Sequence, residues 1–392
     1  MAKRKNEAQW VEARKRWQIK VQVEGDRPMF TCESECEKRR TSACSEKCKK
    51  GKIAAEQKAD KWLESRTINE NTRCDVLLDR FLERIKLTGG TSHNHTSESF
   101  IRLYIRPRIG AKKIGKLTQN DLQAIIDFAY SGDHSALSDK IKKDRKLADK
   151  TLRNIRATIM SFMKFCRGEK VTMFHPDTLT LPASAKKSEK TILGIEDIIT
   201  LFTVDTALKF GKHVLDEYIH AYRFAVVTGM RPGEFIGLQH EDITGTKVTI
   251  GRSINTYNEI TDGKNENAAR TYTLDAHALK ILEDQKRMLM KLGKISPYIF
   301  PGVDNGHVKQ NRIYRSWKRY CESNGIKTGT TPYELRHTFV SVNTQMPDAL
   351  KKLVMGHSKN MDTHGVYNHE KADDMNNAAT YIDDAFKKIL GW

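Results

Sequence analysis

Five side chains in the last third of the sequence have the types and the order to work on a phosphate: Arg231, Lys264, Arg336, His357 and Tyr367. Each lies in its own short frame. Arg231 sits in Thr-Gly-Met-Arg-Pro-Gly-Glu (228–234), and Lys264 directly follows Asp262-Gly263. Arg336 lies in Glu-Leu-Arg-His-Thr (334–338), His357 in Met-Gly-His-Ser (355–358) and Tyr367 in Val-Tyr-Asn-His (366–369). Two guanidiniums can clamp one phosphate through paired N–H donors. A Lys and a His can donate to its oxygens or to a leaving group, and a tyrosine hydroxyl can attack phosphorus. No carboxylate cluster of the kind that holds Mg²⁺ is interleaved with the five, so the pattern points to phosphoryl transfer without a metal or other cofactor.

Such residues need a scaffold to bring them together. Tyr218 to Val227 reads as a mostly apolar helix that Thr228-Gly229 ends, and Pro232 suits the first turn of another. Arg231 is thereby expected at a helix N-terminus, where unpaired N–H groups and the macrodipole favour phosphate. Glu234, one turn on, can orient its guanidinium. Alternating residues at Val248 and Ile250, then Ile254, Tyr272 and Leu274, with the Asp262-Gly263 turn signal, place Lys264 on a β-hairpin. A helix carrying Leu350, Leu353 and Val354 ends at Gly356 and presents His357. Tyr367 lies ten residues further on and 31 past Arg336. Met375, Ala379, Ile382, Phe386 and Ile389 then form an apolar stripe at helical spacing.

These frames, in this order, resemble the tyrosine recombinases, the integrase family of phages and mobile elements. The resemblance implies that Arg231 and Arg336 grip a scissile phosphodiester while Tyr367 attacks it, leaving a 3′-phosphotyrosyl bond. Lys264, six residues before Arg270 as in the family's Lys-x5-Arg hairpin, would protonate the departing 5′-hydroxyl, and His357 would donate to the phosphate. It further implies a homotetramer on two DNA duplexes, strand exchange through a Holliday junction, and a possible excision or directionality factor as a partner. One position departs from the family: Tyr333 stands where the His of its His-x-x-Arg signature falls. A phenol of pKa about 10 donates a hydrogen bond but does not cycle protons near neutrality as an imidazole can. Arg336 should therefore still bind phosphate, without a base at residue 333. The last helix could dock on a neighbouring protomer, as in related enzymes, or on its own domain.

The whole composition agrees with a DNA partner. Lys and Arg total 68 against 49 Asp and Glu, a formal charge of +19. Such a surplus attracts phosphates and releases condensed counterions on binding. Residues 1–66 hold 18 basic against 11 acidic residues and residues 102–170 hold 17 against 7, so the basicity is not confined to a tail. No apolar run approaches the ~18 residues that span a bilayer. Met-Ala-Lys-Arg-Lys-Asn has no apolar segment behind it, and Cys74, Cys166 and Cys321 are scattered as in reduced proteins, so a cytoplasmic location is expected. The remaining cysteines form Cys32-x3-Cys36-x7-Cys44-x3-Cys48. Pairs four apart share a helix face, so these four thiols could hold a structural zinc, pair as two disulfides, or do neither.

The expected fold is α+β and multidomain. Residues 1–66 read as a hairpin alternating at Trp17, Ile19, Val21 and Val23, resuming at Met29–Thr31, then a helix with Ile53, Ala54, Ala55, Ala59, Trp62 and Leu63. That order resembles the small arm-type DNA-binding module of many integrases, here with the cysteine-containing insertion. Residues 70–174 read as a helical domain: Thr72 as a cap ahead of Val76–Ile85, a Thr118/Asp121 capping box, and a stripe at Leu152, Ile155, Ile159, Phe162 and Cys166. By resemblance it is a core-binding (SAM-like) domain, with Arg153, Arg156 and Lys164, off the stripe, as candidate DNA-backbone contacts. Residues 175–191, with two Pro and several Lys, read as a linker, and 192–392 as a mainly helical catalytic domain with a small sheet. Two rival readings share some of this evidence. A type IB topoisomerase-like relaxing enzyme uses the same chemistry, but the N-terminal module and modest length argue against it. A DNA-binding regulator with a decayed site is supported only by Tyr333.

Overall fold

The computed structural model describes residues 6–22, 27–32, 45–66, 68–131, 146–187, 190–261, 269–327, 331–356 and 372–392. The chain divides into two compact units, Met1–Ser188 and Glu189–Trp392.

The first unit opens with an antiparallel meander, β1 (Gln9–Val11), β2 (Arg16–Lys20) and β3 (Met29–Thr31), in that spatial order. Ile19 of β2 pairs with Phe30 of β3, which matches the expected hairpin, whereas β1 is an additional strand. Helix α1 (Lys49–Arg66) covers the sheet. Ala55, Ala59 and Leu63, spaced by four, are buried with Ile19 and Val21, and the two alanines allow close approach to the strands. Ile53 lies outside this seam, 50% exposed. Cys32 follows β3 and Cys48 precedes α1, so neither lies within a helix as the four-residue spacing suggested. Cys36 and Cys44 lie outside the described residues. The sulfurs of Cys32 and Cys48 each accept a backbone N–H, Cys32 from Trp17 (3.3 Å) and Cys48 from Gly51 (3.4 Å).

The helical domain contains α2 (Cys74–Thr88), α3 (Thr91–Phe100), a π-turn at Ile101–Ile105, α4 (Arg106–Ile109), α5 (Gln119–Ser131) and α6 (Asp149–Gly168). Leu77, Ile105, Ile125, Leu152, Ile159 and Phe162 meet in one core. The capping box forms: the Thr118 N–H donates to Asp121 and the Asp121 N–H to the Thr118 hydroxyl. Thr72 does not cap α2, because its hydroxyl accepts the Asn69 N–H and closes a turn, leaving Arg73 as N-cap. Residues 175–187, expected as linker, lie along this core. Leu179 and Ala185 are buried in it, and the side chain of Gln123 exchanges hydrogen bonds with the backbone of Thr180 in both directions (3.0 and 2.9 Å). Buried Leu179 must have its carbonyl satisfied, and Arg156 supplies the donor (3.1 Å).

The second unit is built around α8 (Ile219–Thr228), whose ten residues are all buried. A helix without a polar face belongs inside a core, and the apolar run 218–227 encodes that. Around it pack α7 (Ile195–Thr203), the β4–β5 hairpin (Thr206–Lys209 with Lys212–Leu215) and the short α9 (Pro232–Ile236). A three-stranded sheet is ordered β10-β7-β6, with β6 Ile243–Thr244, β7 Lys247–Ile250 and β10 Arg270–Thr273. Strands β8 (Ser253–Ile254) and β9 (Ile260–Thr261) pair beside it. Helices α10 (Ala276–Lys291), α11 (Gln310–Ser323), α12 (Tyr333–Val342), α13 (Asp348–Met355) and α14 (Ala372–Leu390) complete the unit. Helix α14 packs on its own unit through Ala378, Ile382 and Phe386. Ala378, not Ala379, faces the core. Among the described residues no helix is long and apolar enough to cross a membrane.

Candidate active site around three arginines

Gly229 ends α8 in the left-handed region (φ 65°), and a Cβ there would lie 2.6 Å from the Phe339 ring. Only glycine permits this turn, and the turn aims the chain so that Arg231 caps α9. Gly233 is equally constrained, since a Cβ would meet the Ile254 carbonyl oxygen at 2.5 Å. The frame around Arg231 is therefore dictated by close packing against α12 and β8.

The phosphate seat expected at the α9 terminus is filled from within the chain. The Arg231 N–H donates to Glu234 Oε2 (2.9 Å), while Arg231 Nη1 donates to Glu234 Oε1 (2.7 Å). The carboxylate thus takes the helix-start donor and orients the guanidinium together. A third guanidinium shares it: Arg270, on β10, donates through Nη1 to Oε1 (3.2 Å) and through Nη2 to Oε2 (2.9 Å). Burial alone would raise the Glu234 pKa, but the Arg270 and Arg231 contacts outweigh it and hold the carboxyl below its ordinary range.

Arg336 lies one turn into α12 and is 4% exposed. Its Nη1 donates to the Gly229 carbonyl (2.7 Å) and its Nη2 to the Met355 carbonyl (2.8 Å). Burial, and then the neighbouring charge of Arg231, push its pKa down to about 10, which still leaves it protonated near neutrality. Two more donations complete a pattern at the end of α13: Arg270 Nε to Val354 O (2.6 Å) and Arg231 Nη2 to Gly356 O (3.2 Å). Three arginines grip three consecutive carbonyls, those of 354, 355 and 356. Helix C-termini leave such carbonyls without partners and favour cations. Residue 357 follows immediately.

The structure thus brings Arg231 and Arg336 together, and Tyr333 stands one turn before Arg336, 41% exposed. Lys264, His357 and Tyr367 lie outside the described residues, although the elements flanking them (β9 and β10, α13 and α14) are described. In the helical domain, Arg153 pairs with Asp149 (2.6 Å) on the outer face of α6, Lys164 is exposed, and Arg156 is engaged with the 175–187 strap. Two features went unnoticed in the sequence. Arg270 served only as a spacing mark, and nothing local in Glu-Asn-Ala-Ala-Arg-Thr signals that its side chain is buried. The α11 helix carries Arg312, Arg315 and Arg319 along a cleft of about 740 Å³ that Lys209 and Lys309 also line. That spacing of three and four was visible in Asn-Arg-Ile-Tyr-Arg-Ser-Trp-Lys-Arg.

A helical catalytic unit with small sheets, two guanidiniums converging beside a helix end, and a basic helical domain ahead of it are the features of a tyrosine recombinase. Residues 205–373 match the model of the phage integrase family. Solved structures agree on the fold. The Tn1549 transposon integrase in complex with transposon right end DNA is 16% identical at a TM-score of 0.56, covering 81% of this chain and 99% of that one. Lambda integrase aligns at 13% identity and a TM-score of 0.55 in two settings. As a dimer bound to a COC′ core site it covers 95% of this chain and 99% of its own. As a tetramer bound to a Holliday junction it covers 93% and 98%. No curated protein matches the sequence.

Proposed function

We propose that this site-specific recombinase integrates or excises a phage or other mobile element by cutting and rejoining double-stranded DNA at attachment sites. One observation carries the chemistry: three guanidiniums, two of them sharing the single Glu234 carboxylate, meet at the three carbonyls from which the chain departs toward His357 and Tyr367. That leaves a cationic excess, which an anion stabilises. A guanidinium has five N–H donors, so two protein acceptors do not exhaust Arg231 or Arg336, and both can bind a scissile phosphate. In the proposed reaction the Tyr367 hydroxyl attacks phosphorus, releasing its proton to solvent, and the P–O bond to the 5′ oxygen breaks. Lys264 gives that oxygen its proton, and His357 and Tyr333 donate to the phosphate oxygens. The arginines stabilise charge on the pentacoordinate phosphorus. A 5′-hydroxyl of the partner strand then attacks the phosphotyrosyl bond and releases Tyr367, so bond energy is conserved and no step calls on a metal or nucleotide.

Strand exchange through a Holliday junction by a homotetramer, and control by a directionality factor, belong to the same proposal, as does a cytoplasmic site of action. The exposed α6 face with Arg153 and Lys164, the partly engaged Arg156, and the basic α11 face are proposed to contact the DNA backbone. Cys32, Cys36, Cys44 and Cys48 are proposed to hold a structural zinc; the N–H donors on the Cys32 and Cys48 sulfurs suit thiolate ligands. Metal analysis of the purified chain decides, and less than one zinc per roughly ten chains rejects it. The test of the chemistry is a duplex nicked near the attachment core, which traps cleavage as a covalent adduct. Wild type should form the adduct and Tyr367→Phe should not. An undiminished adduct in that variant would overturn the assignment.

A further inference from the structure

Glu234 has two partners, and only one of them belongs to the phosphate-binding pair. Arg231 takes one carboxylate oxygen (2.7 Å) through a side chain that is 18% exposed. Arg270 spans both oxygens from the start of β10, with 5% of its side chain exposed. Its third nitrogen, Nε, is spent on the Val354 carbonyl at 2.6 Å. A fork with every nitrogen engaged and almost no exposed surface is poorly placed to touch DNA. What it can do is fix other groups. It holds the carboxylate that aims Arg231, and it holds the first of the three carbonyls from which the His357–Tyr367 segment departs. It also begins β10, whose register against β7 (Arg270 opposite Ile250) fixes the strand that returns from the Lys264 segment.

We propose that Arg270 is a positioning residue for strand cleavage: by clamping Glu234 and the Val354 carbonyl together, it sets the Arg231 fork relative to the segment that carries the nucleophile. The proposal rests on the recombinase reading above. A lysine cannot replace it, because one ammonium cannot span two carboxylate oxygens and a carbonyl with the geometry of a planar fork. Without Arg270, buried Glu234 keeps Arg231 as its remaining fork and can draw that guanidinium toward itself and away from the phosphate. The residue therefore acts on the rate of chemistry and not on the affinity for DNA.

The test uses full-length Arg270→Gln and Arg270→Lys on the nicked duplex. Adduct formation is timed at saturating DNA, DNA affinity is measured by anisotropy in a Tyr367→Phe background, and folding is followed by thermal melting. Arg270→Gln should cleave about 10²-fold more slowly and Arg270→Lys about 10-fold more slowly, with affinity within about 3-fold of the parent. Because Arg270 acts through Glu234, the Glu234→Gln/Arg270→Gln double variant should lose little more than the worse single one. Cleavage within about 3-fold of wild type in Arg270→Gln, multiplicative losses in the double variant, or a loss that merely tracks weakened DNA binding each overturn the proposal. Should Arg270→Gln not fold at the assay temperature, Arg270→Lys decides by the same criteria. A wild-type chain that forms no adduct removes the recombinase reading instead.

Discussion

Two buried charge clusters bracket the segment 357–371, and they are built on opposite principles. Upstream, Arg231, Arg270 and Arg336 hold the carbonyls at the end of α13 with permanently charged groups and a cationic excess. Downstream, α14 is held by a cluster rich in carboxylates: His277 Nδ1 lies 3.0 Å from Asp383 and 3.4 Å from Asp275. The other ring nitrogen, Nε2, lies 2.9 Å from the Trp392 carbonyl. Both ring nitrogens face acceptors, so the imidazole must carry two protons to satisfy both. Burial opposes that charge, but the contacts with Asp275, the Trp392 carbonyl and Asp383 outweigh it and raise the His277 pKa. The upstream anchor is thus insensitive to mild changes of pH, whereas the downstream one titrates. In the proposed reaction the first must keep its charge for a phosphate. The second only has to hold a helix.

Breaking the upstream cluster should have the larger effect. Arg336→Ala removes a proposed phosphate donor and takes the Arg336 donor from the Gly229 and Met355 carbonyls, so adduct formation should fall about 10³-fold. Single-turnover cleavage at saturating DNA measures it, and a loss under tenfold would separate Arg336 from the chemistry. Next, Phe386→Ala should cost roughly 3–5 kcal/mol in denaturant unfolding of the catalytic unit, because it empties a fully buried site under α14. His277→Gln should cost about 1–3 kcal/mol at pH 6 through lost charge-assisted hydrogen bonds. A histidine pKa raised by folding adds stability that is complete below the unfolded value of about 6.5 and disappears as pH rises through the folded one. The gap in melting temperature between wild type and His277→Gln should therefore shrink from pH 6 to pH 9, and a constant gap would rule out the imidazolium. Glu234 works in the other direction: its lowered pKa adds stability that is lost as the solution is acidified. The smallest effect is expected for Tyr333→His, which should retain cleavage within about 3-fold, since the position donates and need not cycle a proton. A loss matching Arg336→Ala would mean that the phenol itself is required.

How much of this was legible in the sequence differs between the same two regions. The Arg231 frame was readable because its constraints are local: Gly229, Pro232 and Glu234 act within one turn of the arginine they position. The hairpin of the N-terminal module and the Thr118/Asp121 box were legible for the same reason. The downstream cluster joins residues more than a hundred positions apart, Asp275 and His277 with Asp383 and Trp392, and no spacing rule connects them. Arg270 was hidden similarly, since its partners Glu234 and Val354 come from opposite sides of it in the chain. Ile53 and Ala379 show the limit of a periodic stripe. A helical repeat places apolar residues on a face about a third of the surface wide, but the contact seam is narrower, and neighbouring elements choose which edge is covered.

The strap of residues 175–187 misled because Pro and Lys mark irregular backbone without saying whether that backbone is loose. Its consequence concerns dissection of the chain. A fragment cut where the last helix of its domain ends, near residue 174, would leave Leu179 and Ala185 missing from their core, and the amide groups of Gln119 and Gln123 without the backbone of Asp177 and Thr180. A fragment extended through residue 187 carries its own closing piece, so the independent folding unit is longer than its helices suggest, and its natural border falls at Ser188.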